Sequence, residues 1–516
     1  HIFCIFQSLK IPKLSKFSIK NYILSFMMQK RIHNIEKFCI NPIKTQEKVF
    51  KRLILKGKNT EFGKKHHFST ITKYSHFKNN IPIRTYEEFS EYIEKTRNGE
   101  ENVLWPGKIK WFSKSSGTTN AQSKFIPITK DSLKECHFKG GKDMLSLYGN
   151  NFPFSDMYNG KGLMLGGTIK DSEEGDYKDG DLSAILLDEF PFWVNYHRIP
   201  DIQTALMEDW ENKLERIAQQ AVKENITNLT GVPSWMLILL KRVLAISGKK
   251  NISEVWPKLE LYMHGGVNFE PYKEQFKTLI PSEKMNYLEG YNASEGFMGI
   301  QDKNPSEGLL LMLDYGIFYE FIPMLKYKKG IIETTNLKDV KLNTDYALVI
   351  STNGGLWRYL IGDVVCFTNL SPFRIKIVGR TKSFLNTFGE ELVIENTDKA
   401  LLEVCEKHHA LIKDYTVAPI YINENSGGHQ WLIEFSKEPQ DIDVFKTDLD
   451  TTLQELNSDY AAKRNQNLVL NLPEIIVIQN NEFYMWLKQN NRLGGQYKIP
   501  RLSNDRKIVE EILALH

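Results

Sequence analysis

Cysteine is scarce in this sequence. Cys4, Cys39, Cys136, Cys366 and Cys405 are scattered through 516 residues, odd in number and without a CxxC spacing. That argues against a disulfide-built scaffold and a cysteine zinc site, and it points to free thiols in a reducing compartment. Long apolar runs are missing too: residues 22–28 are too few to span a bilayer, and the run 235–240 is cut by Lys241 and Arg242. No transmembrane segment is expected. Lys10, Lys13, Lys16 and Lys20 are not followed by a small-residue cleavage site, so a secretory signal is not expected either. Residues 1–26 read as an extension outside the fold, and the expected location is cytoplasmic. There is no marked charge of one sign. A formal net charge of +4 over this length is too diffuse to imply a nucleic-acid or membrane partner. The basic N-terminal stretch also lacks the alternation of lysine with aromatics that single-stranded nucleic acid would require. Internal repeats and low-complexity tracts are absent.

What is present is a chain of ordinary globular texture, 41% hydrophobic and 25% charged. It is longer than the ~250 to 300 residues at which a single core stops growing, so at least two domains are expected. Ile32, Ile35, Phe38 and Cys39, then Val49, Phe50 and Leu53, recur at helical spacing on either side of Pro42, which predicts two opening helices. Short strand-like runs, IKWF and KFIPI, flank the loop SKSSGTTNAQS. Residues 205–222 carry an apolar face and predict an amphipathic helix, and Ser234 is placed to cap the apolar helix WMLILLKRVLAI. KLELYMHGG, YALVIST, LWRYLIGDVVCF and FRIKIVG read as strands. Beyond Gly379, helices are expected at 396–408 and 441–460, and strands at QWLIEF, EIIVI and EFYMWL. The class is α/β, with a boundary near 380–384 dividing a large domain, 1–380, from a small one, 381–516.

Five motifs carry chemistry. Ser115, Ser116, Gly117, Thr118 and Thr119, with Lys124 beyond them, are small and hydroxylated residues whose backbone N–H groups could converge on phosphates. The spacing is not that of a Walker A loop, and a strand follows instead of a helix; alone, the stretch is an ordinary surface turn. In GYNASEGFMGIQ, Glu295 stands beside Tyr291 and Ser294. A carboxylate near phosphates makes sense as a magnesium ligand, although a lone glutamate in a loop is usually solvated. Asp363 in LWRYLIGDVV could accept both hydroxyls of a ribose or could mark a Gly-Asp hairpin turn. VGRTKSFLNTFGEE places Arg380 and Lys382 at the suspected boundary, either as a hinge or as linker surface. LGGQYKIPR puts Lys498 on a glycine-rich segment, able to carry a compact positive charge into a site or to remain a basic tail.

In this order, SSGTT with Lys124, HGG at 264–266, YNASEG, RYLIGDVV, VGRTK and GGQYKIPR strongly resemble the Gretchen Hagen acyl-acid-amido synthetase family. The family is best known from auxin-responsive plant proteins and belongs to the adenylate-forming superfamily of acyl-CoA synthetases and luciferase. The likeness runs from about Arg31 to the C-terminus. It implies a large N-terminal domain of β-sheets and helices and a small C-terminal α+β lid that turns between two half-reactions. It implies ATP and Mg2+, with a carboxylic acid and an amine, such as an amino acid, as small-molecule partners. By the resemblance, Ser115 to Thr119 and Lys124 surround the ATP phosphates, Gly265 and Gly266 line the nucleotide pocket, and Tyr291 with Ser294 lies by the adenine and α-phosphate. Glu295 is the implied magnesium ligand, Asp363 and Arg380 hold the ribose, Lys382 lies at the hinge and Lys498 is the lid lysine. Ala121 stands where many relatives carry glycine, which implies a stiffer loop. The helices at 205–222 and 234–247 are the expected source of an apolar acid pocket. An acyl-CoA ligase of the same superfamily and a catalytically silent protein of this fold are the competing expectations.

Overall fold

A computed structural model describes residues 19–115, 124–153, 155–171, 177–266, 269, 272–381, 384–385, 387, 390, 392–421, 427–464, 470–479, 481–490, 492–493 and 498–515. The two opening helices are Ile19–Ile40 and Pro42–Gly57, the first starting earlier than the expected Arg31 and inside the stretch 1–26 read from the sequence as an extension. Pro42 takes the first turn of the second helix, where a missing N–H leaves no bond unmade. Phe50 and Leu53 are buried beneath it, and the Gln46 amide donates to the carbonyls of Leu313 and Ile317, both at 2.9 Å. That pair of bonds pins the helix to the central sheet.

The sheet has twelve strands among the described residues, and its direction changes partway across. From the edge strand Thr335–Asn336 through Ile317–Pro323, Asp345–Thr352, Tyr359–Leu370, Phe373–Arg380, Leu309–Leu311 and Gly296–Ile300 to Asn286–Ala293, every pairing is antiparallel. From Asn286–Ala293 onward, through Leu261–His264, Ile226–Thr230, Lys161–Met164 and Arg198–Ile199, every pairing is parallel. The parallel strands are short apolar runs such as Leu261 and Tyr262, fully buried, because helices cover that half of the sheet. The YNASEG motif begins in the strand where the two halves meet.

Helix Trp210–Ala221 begins later than its apolar pattern suggests. Asp209 accepts from the Asn212 N–H and caps it, while 202–205 form a separate turn of helix. The next helix, Pro233–Ser247, is capped by Val232 without a side-chain bond; Ser234 lies inside it, because Pro233 occupies the first helical position. Trp111–Ser115 and Lys124–Ile128 pair antiparallel in a separate sheet, with Ser115 opposite Lys124, so the glycine-serine-threonine loop joins two paired strands.

In the C-terminal part, helix Ile394–His408 and the strands Gly427–Lys437 and Glu474–Val477 follow the expected order, while Leu411–Tyr421 is a further strand not foreseen from the sequence. The helical run expected over 441–460 is two helices, Ile442–Leu456 and Ser458–Arg464. EFYMWL, expected as a strand, is the helix Glu482–Gln489. Its buried residues Phe483, Trp486 and Leu487 stand at i, i+3 and i+4, one face of a helix. Leu401, Val404, Trp431, Phe445 and Leu449 form a core within this part. Ala418, Leu432, Phe483, Trp486 and Val509 instead join Trp210, Trp235, Tyr262 and Phe276, so the C-terminal part packs on the helices covering the parallel half of the sheet.

Candidate active site

A cavity of about 3130 Å³ opens between the sheet and the C-terminal part, and Lys124, Gly265, Gly266, Tyr291, Ser294, Glu295, Asp363, Arg380 and Lys498 all line it. These residues span almost four hundred positions of sequence. Ser116, Gly117, Thr118, Thr119, Ala121 and Lys382 lie outside the described residues, as does the side chain of Ser115.

Asp363 sits inside strand Tyr359–Leu370, which rules out the hairpin-turn reading of Gly362-Asp363. Gly362 has φ +93°, a conformation costly for a side chain with a Cβ. Directly opposite Asp363 in the register is Arg380, whose Nε donates to Asp363 Oδ1 at 3.0 Å. Tyr291 OH donates to Asp363 Oδ2 at 2.5 Å. Burial, together with the Asp363 carboxylate, raises the Tyr291 pKa well above that of a free phenol, so it stays a donor. Burial pulls the Arg380 guanidinium down, but Asp363 and Glu295 outweigh it and its pKa is raised. Glu295 is pushed up by burial and by Asp363, opposed by Lys124 and Arg380. The result is a carboxylate pair bracketed by two cations.

Ser294 is buried, and its hydroxyl meets that of Ser113 at 2.8 Å. That bond ties the YNASEG turn to the strand leading into the phosphate-loop candidate. Gly265 has no room for a side chain: a Cβ there would stand 2.3 Å from the Gly290 carbonyl oxygen. Gly266, at φ +82°, offers its carbonyl to Lys498 Nζ.

Lys498 is therefore no solvated tail. Solvent still reaches it through the wide cavity, but the surrounding protein lowers its pKa to about 8. Desolvation is the larger cause, and the positive charges of Arg380 and Arg501 add to it against the pull of Asp363. Its segment is held in place. The Pro500 carbonyl accepts from Thr416 Oγ1 at 2.6 Å, and Val417 N–H donates to the Arg501 carbonyl at 2.9 Å, so the stretch runs alongside strand Leu411–Tyr421. Arg501 pairs with Asp414, donates to Tyr272 OH at 3.0 Å and stacks 4.3 Å over the Tyr415 ring. Burial pushes the Asp414 carboxyl up to about 6, with Arg501 pulling it back.

Arg501 went unassigned in the sequence although it closes the QYKIPR motif. His137 went unseen because nothing about Cys-His-Phe in a helix marks it. It is buried at the end of a π-helical turn, 133–137, and its Nδ1 lies 2.9 Å from Asn292 Oδ1. Burial lowers its pKa to about 4, so a neutral imidazole lines the cavity. Of the two helices expected to supply an acid pocket, only the second lines the cavity among the described residues. Ser234, Trp235, Leu237 and Ile238 line the cavity, and among the described residues none of 205–222 does. The earlier helix contributes to the core instead.

Most of the chain matches known protein families, although YNASEG lies between two of the matched stretches. The GH3 family N-terminal domain matches residues 31–285, its central domain 310–380 and its C-terminal domain 395–507. The indole-3-acetic acid-amido synthetase GH3.4 of Arabidopsis thaliana is 24% identical over 92% of this chain and 91% of its own length. The jasmonoyl–L-amino acid synthetase JAR6 of Nicotiana attenuata is 23% identical over 92% and 93%. Among solved structures, the AtGH3.15 acyl acid amido synthetase in complex with 2,4-DB superposes with a TM-score of 0.79 at 18% identity, covering 97% of each chain. The 2-hydroxyisobutyryl-CoA ligase in its postadenylation state gives 0.60 at 12%, covering 91% of each. The fold is thus that of the adenylate-forming enzymes, and by the family domains that span most of its length the chain belongs to the GH3 family.

Proposed function

We propose that the chain is an ATP-dependent acyl acid amido synthetase, which adenylates a carboxylic acid and passes the acyl group to an amine such as an amino acid. The observation that carries this reading is the convergence of Lys498 with the Asp363–Arg380–Tyr291 cluster in one cavity. Relatives named as an indole-3-acetic acid-amido synthetase and a jasmonoyl–L-amino acid synthetase support it.

A free carboxylate resists amines because its leaving group would be oxide. In the first half-reaction a carboxylate oxygen bonds to the α-phosphorus of ATP, the bond to the β-phosphate bridge breaks, and pyrophosphate departs. Asp363, braced by Tyr291 and Arg380, is the proposed ribose acceptor, and Gly265 and Gly266 let the backbone approach the nucleotide. Negative charge grows on the phosphate oxygens, and the Lys498 ammonium opposes it. Glu295 is the carboxylate that would hold a magnesium ion beside the phosphates, whose negative charge would offset the nearby Lys124 and Arg380. Among the described residues no three acidic, histidine or cysteine side chains gather to hold a metal alone. When bound, that ion supplies further charge neutralisation at the phosphates. In the second half-reaction the amine nitrogen attacks the acyl carbon, the bond to the adenylate oxygen breaks, AMP leaves with the electron pair, and the nitrogen gives up its proton to solvent.

The proposed division is a large domain, 1–380, and a lid, 381–516, turning about 379–382 to withdraw Lys498 between the steps. Among the described residues no helix is long and apolar enough to cross a membrane, and the four described cysteines are free. Both support a cytoplasmic setting. The test incubates the protein with ATP, magnesium and a panel of carboxylic acids, offering amino acids or CoA as acceptor, and identifies products by mass spectrometry. Amide and AMP are expected. A thioester instead would transfer the assignment to acyl-CoA ligation, and the absence of AMP with every acid would indicate a silent protein of this fold.

A further inference from the structure

Arg198 belongs to none of the motifs above. It opens the edge strand Arg198–Ile199, opposite Gly162, and is 3% exposed. Its Nε donates to Asn195 Oδ1 and one terminal nitrogen to the Pro200 carbonyl, both at 2.8 Å, and both acceptors are neutral. The other terminal nitrogen is buried without a hydrogen-bond partner. Among the described residues the carboxylate acting on this guanidinium is Asp201, whose oxygens are already committed to the Thr204 N–H at 2.9 Å, the Thr204 hydroxyl at 3.0 Å and the Gln220 amide. Two other arginines are as deeply buried, Arg358 and Arg374, and each holds a carboxylate, Glu320 and Asp302 respectively. Arg198 departs from that pattern.

A guanidinium does not shed its proton in a protein, and burying its charge with no acid bonded to it is strongly unfavourable. Arg198 lines the same cavity as Lys498 and Asp363. Beside it, Gly162 adds no side chain to the floor, and the Asn228 carboxamide, also cavity-lining, lies over that glycine. The guanidinium is a planar fork of donors, and its unpartnered terminal nitrogen is the one it can offer to a carboxylate oxygen.

We propose that Arg198 is a carboxylate-binding residue of the cavity, receiving either the carboxylate of an amino acid acceptor or a second carboxylate carried by the acyl acid. This rests on the amido-synthetase reading. The two sources separate in the two half-reactions. Amide formation is measured with amino acids and their carboxamides, and acid-dependent pyrophosphate exchange with dicarboxylic acids and their monomethyl esters, for the wild type and Arg198→Met. A charge-assisted pair leads us to expect Arg198→Met to raise KM about 10- to 100-fold for the ligand that carries the carboxylate. The preference over its neutral partner should collapse by the same factor. A collapse in the first arm assigns the carboxylate to the acceptor, and one in the second assigns it to the acid. A folded Arg198→Met protein with wild-type preferences in both arms overturns the proposal. If Arg198→Met fails to fold, Arg198→Lys is read in the same way, since it keeps the charge and loses the fork. Should the wild type form no adenylate at all, the enzymatic reading fails. Calorimetric titration of wild type and variant with glycine and with succinate then decides Arg198 alone: weaker binding by the variant supports it, and equal binding overturns it.

Discussion

Lys498 is the residue whose ionisation bears most directly on chemistry. Its pKa is lowered to about 8 by desolvation and by Arg380 and Arg501, so the ammonium is held below that pH and lost as pH rises through it, well before a free lysine would lose it. The kcat/KM of adenylation, which reports the free enzyme, is expected to fall above about pH 8. Lys498→Arg, which keeps its charge, should show no such fall. The stability term has the opposite sense. From about pH 8 to the free-lysine range the unfolded chain binds more protons than the folded one, so the contribution of Lys498 to stability rises with pH. Gly265 makes a second prediction at this scale. A methyl group 2.3 Å from the Gly290 oxygen must push two paired strands apart, so Gly265→Ala should cost about 1–3 kcal/mol in urea denaturation. Residues such as these were legible because glycine, lysine and aspartate stood in ordered motifs. Arg198 was not, since nothing in HRIPD distinguishes a buried arginine without an acid from an exposed one.

At the scale of elements, strands were read well where their ends carried turn residues. Helices were read well where a proline or an amphipathic face marked them. The failures have physical causes. EFYMWL is rich in aromatics, which favours a strand by composition, yet its neighbours bury positions 483, 486 and 487 together and packing overrides propensity. The start of Trp210–Ala221 was fixed by the Asp209 cap, not by the apolar pattern, which continues upstream. One tie between elements was also invisible in sequence. Arg358, at φ +49°, donates two nitrogens to Glu320, and its remaining donors reach the carbonyls of Lys78 and Ile81 and the hydroxyl of Thr334. Glu320 is fully buried in strand Ile317–Pro323. Glu320→Ala would leave the guanidinium uncompensated and should destabilise the fold by about 3–5 kcal/mol, measurable as a shift in the denaturation midpoint.

At the scale of the whole molecule, the site forms where the sheet turns from antiparallel to parallel. The class and the order of segments were readable from the chain, but the docking of the C-terminal part was not, because it depends on contacts between residues more than a hundred positions apart. One is the bond from Arg501 to Tyr272 OH; another joins the Gln275 amide to the Ile412 carbonyl at 2.8 Å. Tyr272→Phe removes the first and leaves Asp414 on Arg501. It should loosen the arrangement that delivers Lys498 and slow adenylation about tenfold, since a hydrogen bond to a charged group is worth roughly 1.5–3 kcal/mol. The central claim is that a cation from the last twenty residues of the chain acts on a nucleotide bound by the sheet. Acid-dependent exchange of labelled pyrophosphate into ATP, compared between wild type and Lys498→Ala with ATP binding measured alongside, tests it most directly. The account predicts exchange by the wild type that requires a carboxylic acid and a loss of about 10² to 10³ in the variant, with ATP binding largely retained. Exchange by Lys498→Ala at the wild-type rate would contradict it.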